Sequence, residues 1–251
     1  MEVWEALAVL AAGMGAGAVN AVVGSGTLFT FPVLLALGYP PITATVSNSI
    51  GLAPGSLSGA LGYRRELRGQ RGRVLRLGAM SLLGALGGGV LLVTLPSEVF
   101  ERVVPVLITG ACLLIILQPK ISAWARKRRP AKPDGGRLLP VGVLGAGVYA
   151  GYFAAAQGIV LMSLLGTAID DDVQRLNALK NCLAFTVNAT AAVFYIIFAS
   201  PAWGAVALIA AGSVLGGYVG ASLGRRLKPI ALRGLIVAVG LSAALQLLIE
   251  W

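Results

Sequence analysis

An all-α polytopic membrane protein, made of two inverted-topology repeats of about five helical segments each, is the fold class this sequence predicts. Three observations predict it. Apolar residues make up 57% of the 251 residues and charged residues only 12%, against roughly 45–50% and about 25% in a soluble domain. Basic residues gather in three loops between apolar blocks: Arg64, Arg65, Arg68, Arg71, Arg73 and Arg76, then residues 120–137, then Arg225, Arg226 and Lys228. The order of features in residues 17–63 returns in residues 149–196, with the charge moved to the opposite side of the segments.

Water cannot be the main solvent of such a chain. Residues 77–95, 103–117 and 203–223 run without an acid or base, close to the requirement of about 20 apolar residues per span, and backbone in lipid must be helical. The formal charge of +10 would suggest nucleic acid in a soluble protein. Its confinement to loops instead marks those loops as cytoplasmic, and no nucleic-acid partner is expected. The connections near Tyr39, Ser97 and Pro201 carry almost no Lys or Arg and are expected outside, together with both termini.

Taken in order, residues 4–37 come first. Glu2 and Glu5 replace the basic start of a signal peptide, so this stretch is expected to be retained. Residues 42–61 then run inward, 77–95 outward, and 103–117 complete a first repeat spanning 1–119. A basic cytoplasmic linker, 120–137, leads to a second repeat, 138–251. There residues 138–168 mirror 4–37. Residues 173–198 start beside Asp170, Asp171 and Asp172 and end near the uncharged Ser200 and Pro201, so they run outward, opposite to their counterpart. Oppositely directed copies imply an axis in the membrane plane, as in many secondary transporters.

Because Tyr39 and the amino terminus share a side, residues 4–37 must turn back within the membrane, and residues 138–168 likewise. Both fall short of the roughly 40 residues that two full spans require. Short or steeply tilted helical hairpins are therefore expected, their tips near the midplane at Gly24-Ser25-Gly26 and Ala156-Gln157-Gly158. Irregular backbone at that depth is tolerated only inside protein or beside a watery cavity.

The candidate binding residues follow from those tips. Each tip starts a helix, and two helix starts converging from opposite sides offer unpaired N–H groups and positive dipole ends to an anion. Gly24, Gly26 and Gly158 would let a ligand approach the backbone, while Ser25, Thr27 and Gln157 would add side-chain donors. The same glycines also suit close helix packing. Lys180 lies well inside an apolar block, at a cost on the order of 2.5–3.5 kcal/mol. It shares a helical stripe with Asn177 and Asn181, and Ser47 and Asn48 occupy the matching place in the other half. Snorkelling to the inner interface is the competing reading for Lys180. Asn20 and Tyr152 lie on the arms leading to the tips, either lining the cavity or bonding between helices. Arg175 reads as a cytoplasmic anchor, and Asp170, Asp171 and Asp172 as a helix cap without a transport role.

Several absences bear on mechanism. There is no histidine, and the carboxylates lie in loops or near segment ends, so no buried proton relay can be named. Neither a nucleophile with its base nor a metal cluster is present. Cys112 and Cys182 sit in apolar blocks and read as small buried residues. No enzyme activity, cofactor or metal is expected. The expected partners are a small anion and the bilayer, with self-association as a homo-oligomer left open.

The passage Gly24-Ser25-Gly26-Thr27-Leu28-Phe29-Thr30-Phe31-Pro32 with Leu34-Leu35-Ala36-Leu37-Gly38, and residues 147–165 followed by Asn177-Ala178-Leu179-Lys180-Asn181, resemble the TauE/SafE-type sulfite exporter family, grouped with toluenesulfonate uptake permeases. The resemblance covers nearly the whole chain. It implies an inner-membrane exporter of sulfite, a sulfonate or a related small organic anion; with no buried acid/base relay, alternating access driven by the substrate gradient or by a proton on the substrate is the expected mechanism. Carried over by position, it touches Gly24, Gly26, Gly158, Asn177, Lys180 and Asn181. Ser25, Ala154, Ala156 and Gln157 depart from the family's glycine-dense turns. A channel for small oxyanions or carboxylates is the alternative reading, since it needs a continuous polar pore in place of an occluded pocket.

Overall fold

A computed structural model describes residues 1–128 and 134–223, together with Gly234, Val237, Ala238 and Leu241. Every regular element among the described residues is a helix: α1 (Val3–Val22), α2 (Thr27–Ala36), α3 (Pro41–Gly62), α4 (Arg71–Thr94), α5 (Ser97–Arg128), α6 (Leu138–Tyr152), α7 (Gln157–Ala168), α8 (Val173–Phe198) and α9 (Trp203–Leu223). The basic positions Arg225, Arg226 and Lys228 lie outside the described residues, as do residues 129–133 of the expected linker. The first part of that linker is helical, because α5 continues to Arg128.

Local chemistry explains the boundaries. Glu5 accepts a hydrogen bond from the Glu2 N–H at 2.7 Å and places a negative charge at the positive end of α1. Pro41 opens α3 at a position where a missing N–H costs nothing. Asp172 accepts from the Gln174 N–H at 2.8 Å and caps α8. The expected cap therefore rests on Asp172, while Asp171 makes ion pairs instead.

Among the described residues, five helices are long and apolar enough to cross a bilayer: α1, α4, Ser97–Leu117 of α5, α8, and Trp203–Ser222 of α9. The two hairpins are α1–α2 and α6–α7. Three of their four arms are short, with 10 residues in α2, 15 in α6 and 12 in α7, whereas α1 has 20. At 1.5 Å per residue, α2 covers only about half of a 30 Å hydrocarbon core. Large apolar side chains such as Leu83, Leu86, Val106, Ile197, Phe198 and Leu215 point outward and are exposed. A soluble protein does not tolerate so much apolar surface; a bilayer solvates it.

Packing is reciprocal between the halves. The first arm of one hairpin, α1, lies on α9, and the first arm of the other, α6, lies on α4; α3 and α8 contact each other and also cross α9 and α4 respectively. Missing side chains permit these approaches. A methyl on Gly88 would strike the Val148 carbonyl, and one on Gly216 the Met14 carbonyl. In lipid, where apolar burial drives no association between helices, such close backbone contact supplies the van der Waals attraction. The larger apolar core joins α1, α2, α3, α5 and α8, and a smaller one joins α4, α6, α7 and α8.

Candidate functional site

The hairpin tips touch. The Gly158 N–H donates to the Gly24 carbonyl at 2.7 Å, and a methyl on either glycine would fall on the Cα of the other. Gly24 takes φ +85°, a conformation that glycine adopts without steric cost. In the second hairpin the turn lies at residues 153–156, with Ala154 and Ala156 at φ 63° and 54°. Gln157 and Gly158 thus open α7, which begins two residues earlier than the start of α2 at Thr27 implies when Gly24-Ser25-Gly26 is paired with Ala156-Gln157-Gly158. The space before Gly26 is filled as well, by the Ala16 carbonyl and Asn20 Cβ. In this conformation all three tip glycines serve close packing.

Beside that junction stand two polar groups without a protein partner. Ser25 and Gln157 are buried, and among the described residues the Ser25 hydroxyl and the Gln157 Nε2 find nothing to bond. Such groups cost about 1–3 kcal/mol each when left unpaired. Neither Gly26 nor Ala156 supplies a side-chain cap to the helix it precedes; the first N–H groups of α7 go to the carbonyls of Ala154, Gly24 and Ala156, and those of Leu28 and Phe29 to Ser25 and Gly26, so what both helix starts offer this region is the positive end of a dipole. Neutral donors and two positive helix ends can hold one small negative charge.

The remaining expected residues fall into separate clusters. Asn48 donates to Thr27 Oγ1 at 3.1 Å and accepts from the Thr30 hydroxyl, tying the middle of α3 to the start of α2. Ser47 accepts from the Ala202 N–H at 2.9 Å and holds the start of α9, away from the tips. Asn20 donates to Ser56 Oγ at 3.1 Å, and Asn188 donates to the same oxygen at 2.7 Å, joining α1, α3 and α8. Tyr152 is half-buried with its ring 5.3 Å from that of Phe100. Asn177 is buried on α8.

Lys180 is buried, which rules out snorkelling, and its Nζ donates to the carbonyls of Asn20 at 3.2 Å and Ala21 at 3.3 Å. Asn181 Nδ2 donates to the Ala21 carbonyl at 3.1 Å. These are carbonyls of the last turn of α1, left without intrahelical partners where the helix breaks. A cation there also meets the negative end of the α1 dipole. Lys180 thus fastens the broken end of α1 one turn before the Gly24 junction, with two of its three N–H donors engaged.

The second tip is held by tyrosines that sequence reasoning missed. Tyr149 donates to the Ala155 carbonyl at 2.6 Å, and Tyr195 donates to the Gly151 carbonyl. Ser56 and Asn188 were missed too. Asn188 carried a signal, since it continues the stripe of Asn177 and Asn181 by seven residues within an apolar helix, where a polar group requires a partner.

At the basic end, Asp171 pairs with Arg73 at 2.6 Å and Arg175 at 2.9 Å, while Arg73 also reaches Asp134 at 3.5 Å. Arg175 Nη1 donates to the Arg68 carbonyl at 3.3 Å, and Gln70 Nε2 donates to the Arg175 carbonyl at 3.1 Å. Burial pushes the Asp171 carboxyl upward, but the Arg73 hydrogen bond, the Asp172 N–H and the Arg175 charge together bring it below its ordinary value. Arg175 therefore ties the start of α8 to the segment between α3 and α4.

The family model described as sulfite exporter TauE/SafE matches residues 9–247. The chain is 25% identical over 241 residues to the probable membrane transporter protein YfcA of Escherichia coli K12, covering 94% of this chain and 87% of that protein. It is 26% identical over 211 residues to a probable membrane transporter protein of Haemophilus influenzae, covering 84% and 82%. A probable membrane transporter protein, ORF9, of Sinorhizobium sp is 26% identical over 235 residues, covering 94% and 89%. No solved structure matches the chain.

Proposed function

The chain belongs to the sulfite exporter TauE/SafE family and is a membrane transporter, not an enzyme; from this premise we propose that its cargo is a small sulfur-containing anion, sulfite or an organosulfonate, carried outward by alternating access. The observation that carries this reading is the pair of unpartnered groups, Ser25 Oγ and Gln157 Nε2, buried beside the Gly24–Gly158 contact. A sulfonate or sulfite headgroup offers three oxygens that accept hydrogen bonds and share its negative charge. It complements two neutral donors and two helix starts.

The closed tips form the barrier of an occluded state, and parting Gly24 from Gly158 admits the anion between the helix starts. Lys180 keeps α1 ended at the right place and adds positive potential one turn away. Thr27 and Asn48 keep the start of α2 in register with α3. The two halves are oppositely oriented repeats, with the basic loops in the cytoplasm and both termini outside an inner membrane. The reciprocal packing of α1 on α9 and α6 on α4 supports that reading.

Purified protein in liposomes loaded with labelled sulfite or a short alkyl sulfonate should show saturable efflux and counterflow of label against unlabelled substrate. Flux linear with concentration and without counterflow would transfer the reading to a channel. Flux equal to that of empty liposomes, for sulfite and for every sulfonate tried, would remove the sulfur-anion assignment.

A further inference from the structure

Between the last turns of α3 and α9 the surface opens into a groove of about 780 Å³. That is the size range of pockets that take drug-sized molecules, roughly 300–1,000 Å³. Its walls are apolar and exposed: Leu57 is 39%, Leu61 53%, Val214 40% and Tyr218 69% accessible. The helices beneath are clamped, because the Ser58 hydroxyl donates to the Val214 carbonyl at 3.1 Å and a methyl on Gly62 would strike Ala221.

Charge is confined to one end. Arg64 and Arg65 line the groove where α3 finishes, and among the described residues no carboxylate lines it. Both arginines are exposed and make no ion pair among the described residues. Arg73 and Arg175 of this basic region are spent on Asp171 and Asp134, but these two are not. An apolar slot running along two membrane helices with two guanidinium groups at its interfacial end has the polarity of an anionic phospholipid, acyl chain in the slot and phosphate against the fork donors.

We propose that the α3–α9 groove is a binding site for one anionic phospholipid of the leaflet that faces the basic loops. The site lies apart from the hairpin tips, so it stands whatever anion is carried. A bound lipid would bridge α3, which holds the start of α2 through Asn48, and α9, which carries α1, and would make the stability of both hairpin contacts depend on lipid charge.

The test uses the full chain in mixed phosphatidylglycerol–phosphatidylcholine vesicles, followed by gentle detergent extraction and native mass spectrometry. The wild-type protein should retain one phosphatidylglycerol in preference to phosphatidylcholine. In Arg64→Gln/Arg65→Gln that retention should fall about ten-fold or more, at roughly 1 kcal/mol for each basic residue near the headgroup. Arg68→Gln/Arg71→Gln, which removes equal charge from the same loop outside the groove, should keep it. Equal retention of the two lipids by the wild type, or equal loss in both double variants, overturns the site. A second measurement asks what else could cover the groove, using Tyr218→Cys in a Cys112→Ala/Cys182→Ala background. Oxidation to a Tyr218→Cys dimer would assign the groove to a second copy, and a disulfide with Leu245→Cys would assign it to the chain's own last segment. Either result overturns the proposal, and failure of both cross-links with selective lipid retention supports it.

Discussion

Gly158 donates its N–H to the Gly24 carbonyl at 2.7 Å, and neither residue leaves room for a methyl on the other. Residues far apart in the chain are thereby fixed at a single point where two broken helices end and two begin. At Gly24 the positive φ adds a backbone demand to the steric one. Gly24→Ala should therefore destabilise by about 1–3 kcal/mol from strain alone, with crowding added. A thermal melt in detergent should show the loss, and a melting temperature equal to wild type would separate the two tips.

Ser25→Ala and Gln157→Leu are expected to behave in the opposite way. Both remove a buried polar group that no described residue satisfies, so stability should change little or rise. Substrate affinity should fall by about ten-fold, on the scale of one lost hydrogen bond to a charged ligand. Equilibrium binding of labelled anion measured beside the melt distinguishes the outcomes; unchanged affinity in both variants would remove these residues from the site.

Lys180→Met should insert and fold, yet leave the Asn20 carbonyl unpaired and the Ala21 carbonyl with Asn181 alone. The cost should be roughly 1–3 kcal/mol of stability, together with at least a ten-fold drop in initial transport rate. Wild-type transport rates in this variant would confine Lys180 to fastening α1.

Asp171 makes the pH dependence of the basic end predictable. Its carboxyl lies below the ordinary value of 3.8 in the folded protein, despite the upward push of burial, because Arg73, the Asp172 N–H and Arg175 favour the charged form. A lowered folded value means stability that is present above the unfolded value and is lost as pH falls through the folded one. Asp171→Asn should cost on the order of 1 kcal/mol at neutral pH. The difference from wild type should shrink below about pH 4, and a difference constant down to pH 3 would deny the ion pairs their role.

How much was legible beforehand differs from residue to residue. The helical membrane class, the segment order and the two hairpins followed from composition and spacing, as did the burial of Lys180 in an apolar block. The register of the second tip did not. Gly158 was read as letting a ligand approach the backbone of the tip, but Ala154 and Ala156 take the left-handed conformations of the turn and the glycine is needed two residues after Ala156, where another backbone arrives. Lys180 was read as facing a ligand, since no local pattern reveals that α1 breaks off with open carbonyls beside it.

The sequence by itself determined the solvent and the elements. Apolar content, charge placement and segment length act through transfer free energies that each residue carries wherever the chain goes. Only the tertiary structure decided which polar groups satisfy one another and which stay open, that Lys180 and Asn181 close α1, that Asn48 binds Thr27, and that the Ser25 hydroxyl and Gln157 Nε2 find no partner among the described residues. Those outcomes depend on distances of about 3 Å between residues far apart in the chain, and such distances exist only once the helices have packed.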